Sequence, residues 1–411
     1  MSDSMNSTLS WIDYDSKSRE RTLEILSLFQ EKESRDELGI GSIRDSLSDL
    51  LFPGTSTIQT RLRYMLIVPW LLQELEQRRE SAKDFPRKAD SLERSLIKPL
   101  LESGDSAGVI GRTSGLEVKR LPSSVYWAGL SAWGIRLTPY SLDQYMRRID
   151  EIYQCRALAA KSQAQSIKLG DDTDTDTDTS RAGSTWHPGL PEKPVGFPEN
   201  LSLSLTNEEA SYLQERVSSS CGDSLLAYLM RDCTPVDCEF AWTHPGYGDF
   251  RAEHKQQLKH ACLFSTVSQG ASFIYNIALA RLRDSENLVE QHTADFTLWV
   301  NELPEQKIRE WSLQEFWDTA SGNGHTITPQ TKKFVTSWVE YVKSGPSTLL
   351  QNTDAFNLIK NRECSLKGNR SRYKNRRSLE QWSGSTGTGM QRYRWNVVSG
   401  YINDLHAGLN A

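Results

Sequence analysis

Apolar positions in this chain recur mostly three and four residues apart. Periodic segments run around residues 20–32, 42–51, 56–80, 90–102 and 140–165, and again at 251–283, 285–301, 304–320 and 329–343. That spacing is the period of an amphipathic helix. Alternation of the kind a strand needs is sparse. Its clearest case, Leu116–Leu121, sits in a Gly- and Ser-rich stretch at 108–135, which predicts a small β hairpin or wing between helices. The expected class is therefore predominantly α, with no repeat at the periods of the common solenoids.

The pattern is interrupted at residues 166–200. DDTDTDTDTS (171–180) is acidic and has no apolar residue, and WHPGLPEKPVGFPEN after it contains four prolines. Such a composition buries too little surface to offset its ordering entropy. It predicts a flexible acidic, Pro-rich linker between two helical domains, 1–165 and 201–411. Past the linker, Thr206 and Glu209 have the spacing of a capping box that opens a helix.

Residues 42–68 form the most structured local motif. Ile43, Leu47, Leu50 and Leu51 share one helix face, with Arg44, Asp45, Ser48 and Asp49 outside it. Phe52-Pro53-Gly54-Thr55 is a turn by composition. Ser56-x-x-Gln59 then predicts the start of a second helix, in which Ile58, Leu62, Met65 and Leu66 face inward. Pro69 predicts a kink or break later in that helix. Two helices joined by a turn make a helix-turn-helix-like unit. Ser56, Thr57, Gln59, Arg61 and Arg63 are the residues it would present to phosphates and base edges. Any helical hairpin also has a polar outer face, so simple packing is the competing reading. The apolar run Tyr64–Leu72 is nine residues, against the roughly 20 that cross a bilayer, so no membrane segment is expected.

Charge adds a second feature. The chain carries a formal charge of −5, but residues 171–359 hold 14 Lys and Arg against 27 acidic residues, whereas residues 360–411 hold 10 against 3. The basic excess is concentrated in KGNRSRYKNRRSLEQWSGSTGTGMQRYRW (367–395). There Arg370, Arg372, Lys374, Arg376 and Arg377 surround Tyr373, and Arg392 and Arg394 alternate with aromatic residues. Guanidinium groups pair with phosphates and aromatic rings stack on bases. A glycine-rich loop ahead of a helix start also offers backbone N–H groups to an anion. The GxxxxGK[ST] nucleotide-binding pattern is absent. The competing readings are a basic surface neutralised by the acidic middle of the chain and a patch for a protein partner. The same charge split suggests that the acidic linker competes with DNA for the tail.

Three weaker constellations point to enzymes. His244, Asp249, Glu253 and His260 lie in and after a Pro/Gly loop and would serve as a general base or metal cluster. Cys221, Cys233, Cys238 and Cys262 would be a zinc set, though no pair has CxxC spacing. Asp36, Glu37, Asp45 and Asp49 would be a carboxylate site for Mg²⁺. None has a diagnostic spacing, so neither a metal nor a cofactor is expected. Six scattered cysteines, and a start without the basic-then-apolar pattern of a secretory leader, suggest a reduced, cytoplasmic setting.

The runs DELGIGSIRDSLSDLLFPGTSTIQTRLRYMLIVPWL (36–71), RTSGLEVKRLPSSVYWAGLSAWGI (112–135) and SLEQWSGSTGTGMQRYRW (378–395) resemble a bacterial family catalogued as domain-of-unknown-function family 6361. The resemblance spans nearly the whole chain apart from the acidic run. It supplies no activity and no catalytic residue. It implies an accessory component of an anti-phage defence or DNA-processing system, beside a helicase or nuclease partner. Together the residues and the resemblance predict a non-catalytic protein that binds nucleic acid, DNA in preference to RNA. A metal-dependent enzyme at the histidine loop and a pure protein-interaction scaffold are the alternatives.

Overall fold

A computed structural model describes residues 36–168, 184–322 and 324–411. The periodic segment at 20–32 and the acidic run 171–180 lie outside the described residues. Among those described there are seventeen α-helices and several 3₁₀ turns, and no strand; one isolated antiparallel bridge joins Arg136 to Trp186. The chain is predominantly α. The stretch 108–135, expected to hold a hairpin, is instead a series of turns, a 3₁₀ turn at Gly115–Glu117 and a helix at Pro122–Ala132. Leu116 is exposed and has no strand to pair with, while Pro122 sits in the first turn of the helix, where a missing N–H costs nothing.

The fold divides into two compact units that interleave along the chain. One comprises residues 1–44 and 262–391, the other residues 45–261 and 392–411. Their boundaries fall inside the helices Gly41–Leu51 and Ala252–Leu282 and just ahead of Trp395–Leu409, not in residues 166–200. The described half of that expected linker is ordered by packing. Trp186 is buried and donates its indole N–H to Glu76, and Pro191 O accepts the indole N–H of Trp70 at 2.8 Å. One tryptophan and a few carbonyls are enough to dock a segment that has no periodicity of its own.

In the 45–261 and 392–411 unit, the core is built on the helix Tyr64–Gln77, whose first nine residues are all buried. Pro69 lies inside it, and the helix continues to Gln77 without breaking. It starts seven residues later than the Ser56 capping pattern predicts, because residues 52–63 form turns. The reason is tertiary: the N–H groups of Thr60 and Arg61 donate to the Tyr126 hydroxyl and that of Leu62 to Asp404. Donors used in this way are not available to a helical ladder. No helix-turn-helix therefore forms at 42–68. Gly54 has φ +77°, and a Cβ on Gly129 would lie 2.4 Å from Gly54 O, so these glycines let the Pro122–Ala132 helix approach the turn. The capping box at Thr206 and Glu209 forms with both of its bonds, opening the helix Asn207–Ser220.

In the 1–44 and 262–391 unit, the helices Glu286–Glu302, Pro329–Ser344 and Thr353–Lys367 accompany the second half of Ala252–Leu282. Trp299 and Trp338 donate their indole N–H groups to the carbonyls of Thr266 and Val267, each at 2.8 Å. The periodic segment 304–320 divides into Glu305–Arg309 and Leu313–Ser321, the second capped by Ser312.

Glu93 is a buried carboxyl in the unit of residues 45–261 and 392–411. It accepts the N–H and the hydroxyl of Ser123, each at 2.7 Å, yet burial outweighs these bonds and pushes its pKa up to about 7. A raised carboxyl pKa stabilises the fold below the ordinary glutamate range, and that contribution is lost as pH rises to about 7. Urea unfolding between pH 4.5 and 8 should show the wild type losing on the order of 3 kcal/mol relative to Glu93→Gln across this window. Parallel pH curves for the two proteins would show that Glu93 titrates normally.

Candidate functional site

The candidate residues of the 52–63 turn and of Arg392 and Arg394 fall in one unit, and most are committed to holding it together. Gln59 is buried, accepts the N–H of Ser56 and the hydroxyl of Tyr401, each at 3.0 Å, and donates to Gly54 O. Arg63 is buried, paired with Glu209 at 2.6 Å and bonded to Ser202 O, with its guanidinium over the Trp70 ring. Arg61 bridges Asp404 at 2.9 Å and Asp105 at 2.6 Å. Burial lifts the Asp404 carboxyl above its ordinary value, against the opposing pull of Arg61 and the Leu62 N–H. Arg394 is brought from the far end of the chain to this turn, where it pairs with Asp49 and donates to Thr55 O at 2.7 Å. Thr57 is exposed and Ser56 half-buried. Arg392 stays at the surface, paired with Glu239 and near the ring of Phe240, which stacks on Trp242 at 4.7 Å.

The segment 367–391 belongs to the other unit, and its basic residues separate into two sets. Lys367 and Arg372 turn inward to Glu37, which is 5% exposed; Arg372 pairs with it at 2.7 Å and also donates to the Tyr275 hydroxyl. The neighbouring Glu363, fully buried, accepts from the Arg372 N–H at 3.0 Å and from the Ser371 hydroxyl. These bonds fix the turn, and Arg370, Lys374, Arg376 and Arg377 are left exposed along it. Arg376 has only an exposed i,i+4 partner in Glu380, of a kind worth a few tenths of a kcal/mol.

The glycine-rich loop is anchored by side-chain hydrogen bonds. Asn276 grips Thr386 through both its amide groups, at 2.7 and 3.0 Å; Gln269 donates to Thr388 O and His292 Nε2 bonds Gly384 O. The next helix starts only at Trp395. Three carbonyls and the Thr386 N–H of the loop are held in this way by side chains of the Ala252–Leu282 and Glu286–Glu302 helices.

Beside the basic turn lies an open groove of about 280 Å³ that the sequence does not announce. Phe356, Asn357 and Lys360 line it from the Thr353–Lys367 helix, and Arg281 and Leu282 from the end of the long helix. Tyr373 forms another wall. Its hydroxyl is buried, and burial, with Glu363 nearby, holds the phenol well above its usual pKa. The Arg281 guanidinium lies 4.9 Å from the centre of the Phe356 ring. Phe356 and Lys360, four apart on a helix, were a readable signal; their meeting with Arg281 was not.

The enzyme-like constellations do not assemble. His244 is buried against Phe250 and Trp395, and burial lowers its pKa, while Asp249 and Glu253 are exposed and His260 is buried. Burial raises the thiol pKa of Cys221, Cys233, Cys238 and Cys262. Asp36 caps the N–H groups of Ile40 and Gly41. Among the described residues, no group of three or more His, Cys, Asp or Glu is placed to hold a metal ion. Nor is any described helix long and apolar enough to cross a membrane.

Comparison with known proteins identifies a family. A model for a family of unknown function, DUF6361, covers residues 6–162 and 152–408. The chain belongs to DUF6361. No curated protein and no solved structure matches it. Membership in DUF6361 accounts for the similarity noted at residues 36–71, 112–135 and 378–395. In the structure these three runs supply the helix Gly41–Leu51 with its turn, the helix Pro122–Ala132 and the docked loop.

The two sets of basic residues differ in what their removal does. Arg63→Ala strands the buried Glu209 carboxylate and should cost on the order of 3 kcal/mol in urea unfolding, whereas Arg372→Ala leaves Glu37 paired with Lys367 and should cost less. Lys374→Ala and Arg377→Ala should change stability by no more than about 0.5 kcal/mol.

Proposed function

We propose that this member of DUF6361 binds nucleic acid, DNA in preference to RNA, through the phosphate backbone. The observation that carries the reading is the exposed set Arg370, Lys374, Arg376 and Arg377 on a turn that Glu37 and Glu363 hold in place. A fixed turn removes the cost of ordering the backbone when its cations meet phosphates. Thr57 and Arg392 are further exposed polar residues, in the other unit, whereas the Ser56 hydroxyl is buried. The role is that of a cytoplasmic, non-catalytic accessory to a helicase or nuclease in an anti-phage defence or DNA-processing system. That part of the reading rests on the resemblance alone.

Binding of the full chain to labelled duplex and single-stranded DNA over a salt series tests the proposal. Affinity should fall as salt rises. The variant with Arg370, Lys374, Arg376 and Arg377 all changed to Ala should show a slope shallower by about 0.9 for each duplex phosphate that those side chains neutralise in the wild type. Arg372 is left intact because its loss would disturb the fold. Absence of binding at low salt, or an unchanged slope in the variant, would refute the reading.

A further inference from the structure

The groove beside the basic turn differs from a surface that only tracks phosphates. Its volume, about 280 Å³, is close to the lower end of small-ligand sites, roughly 300–1,000 Å³. Its walls combine three kinds of chemistry. Phe356 and Tyr373 offer aromatic surface, and Leu282 and Ala278 add aliphatic surface. Asn357, exposed, carries an amide with both donor and acceptor. Arg281 and Lys360 are exposed cations at the same groove.

The aromatic walls are held in position. The Tyr373 hydroxyl end is buried and its ring lies 6.1 Å from that of Tyr275, while the preceding Arg372 is pinned to Glu37 and Glu363. Phe356 lies near the start of a helix capped by Asn352, whose side chain accepts from Asp354 and Ala355. The groove therefore has a built shape and does not rely on a mobile loop to form it.

We infer that this groove takes one unpaired nucleotide of a single strand, the base displacing the Arg281 guanidinium from the Phe356 ring to lie against Phe356 and Tyr373, and its phosphate meeting Lys360 and Arg281. The inference rests on the nucleic-acid reading and narrows it. A flat apolar base with a polar edge matches the aromatic walls and the Asn357 amide, and the anion matches the two cations. Stacked bases in a duplex present only edges and phosphates, so an unpaired base is required. The exposed Lys374, Arg376 and Arg377, which follow Tyr373 directly in the chain, extend the phosphate track beyond the groove.

The test compares the full chain's affinity for a fluorescent oligothymidylate with that for an abasic strand of equal length, which carries the same phosphates and no bases. The strand with bases should bind roughly tenfold more tightly, as one stacked base supplies. Phe356→Ala should bring the two affinities together and leave the abasic strand unaffected. Ala278→Leu, a neutral change at a half-exposed helix position that fills the groove, should do the same without removing any core side chain. Equal affinity for both strands in the wild type, with normal salt dependence, would overturn the groove assignment and leave phosphate binding standing. No binding of either strand at low salt would overturn both.

Discussion

A carboxylate withdrawn from water must be met by cations and donors, and two such groups, Glu37 and Glu363, organise the C-terminal basic segment. Glu37 draws in Lys367 and Arg372, and Glu363 holds the backbone at Ser371 and Arg372. An isolated buried charge would cost several kcal/mol, so the residues that meet it are not available to solvent or to a ligand. Which cations face outward follows from which are used inside. The same rule governs the other unit, where Glu209 fixes Arg63, and Asp404 and Asp105 fix Arg61.

The docked loop at 384–389 shows the rule for neutral groups. Its backbone polar atoms are met by Asn276, Gln269 and His292. A loop with little apolar surface is ordered this way because each side-chain partner satisfies a peptide group that would otherwise need water. With this loop and the 371–372 turn both anchored, Tyr373 becomes a wall of the groove rather than a free ring on a disordered tail.

Much of the helical architecture was legible in the chain. The long helix Ala252–Leu282 and the helices Glu286–Glu302 and Pro329–Ser344 sit almost where the apolar period puts them; the latter two bury one stripe each, and the long helix is buried on most sides through its second half. The capping box at Thr206 was also readable, because both of its partners are three residues apart. The Ser56-x-x-Gln59 pattern was misleading for an instructive reason. Gln59 does reach back to the Ser56 N–H, but the following N–H groups are taken by Tyr126 and Asp404, residues far along the chain. A local signal failed where distant side chains outcompeted the helical ladder.

The candidate basic residues were identifiable by type and density; their availability was not. Composition marks Arg372 and Lys374 alike, and the pairing with Glu37, more than three hundred residues earlier, separates the half-buried one from the exposed one. The groove is likewise a product of tertiary structure, formed where the end of one helix, the face of another and a pinned turn converge. The sequence by itself determined the helical class and the basic character of the C-terminal segment, because both depend on residues close together in the chain. Which of those charges face solvent, and which aromatic residues meet a cation, was decided by long-range packing, since burial and pairing belong to the assembled unit.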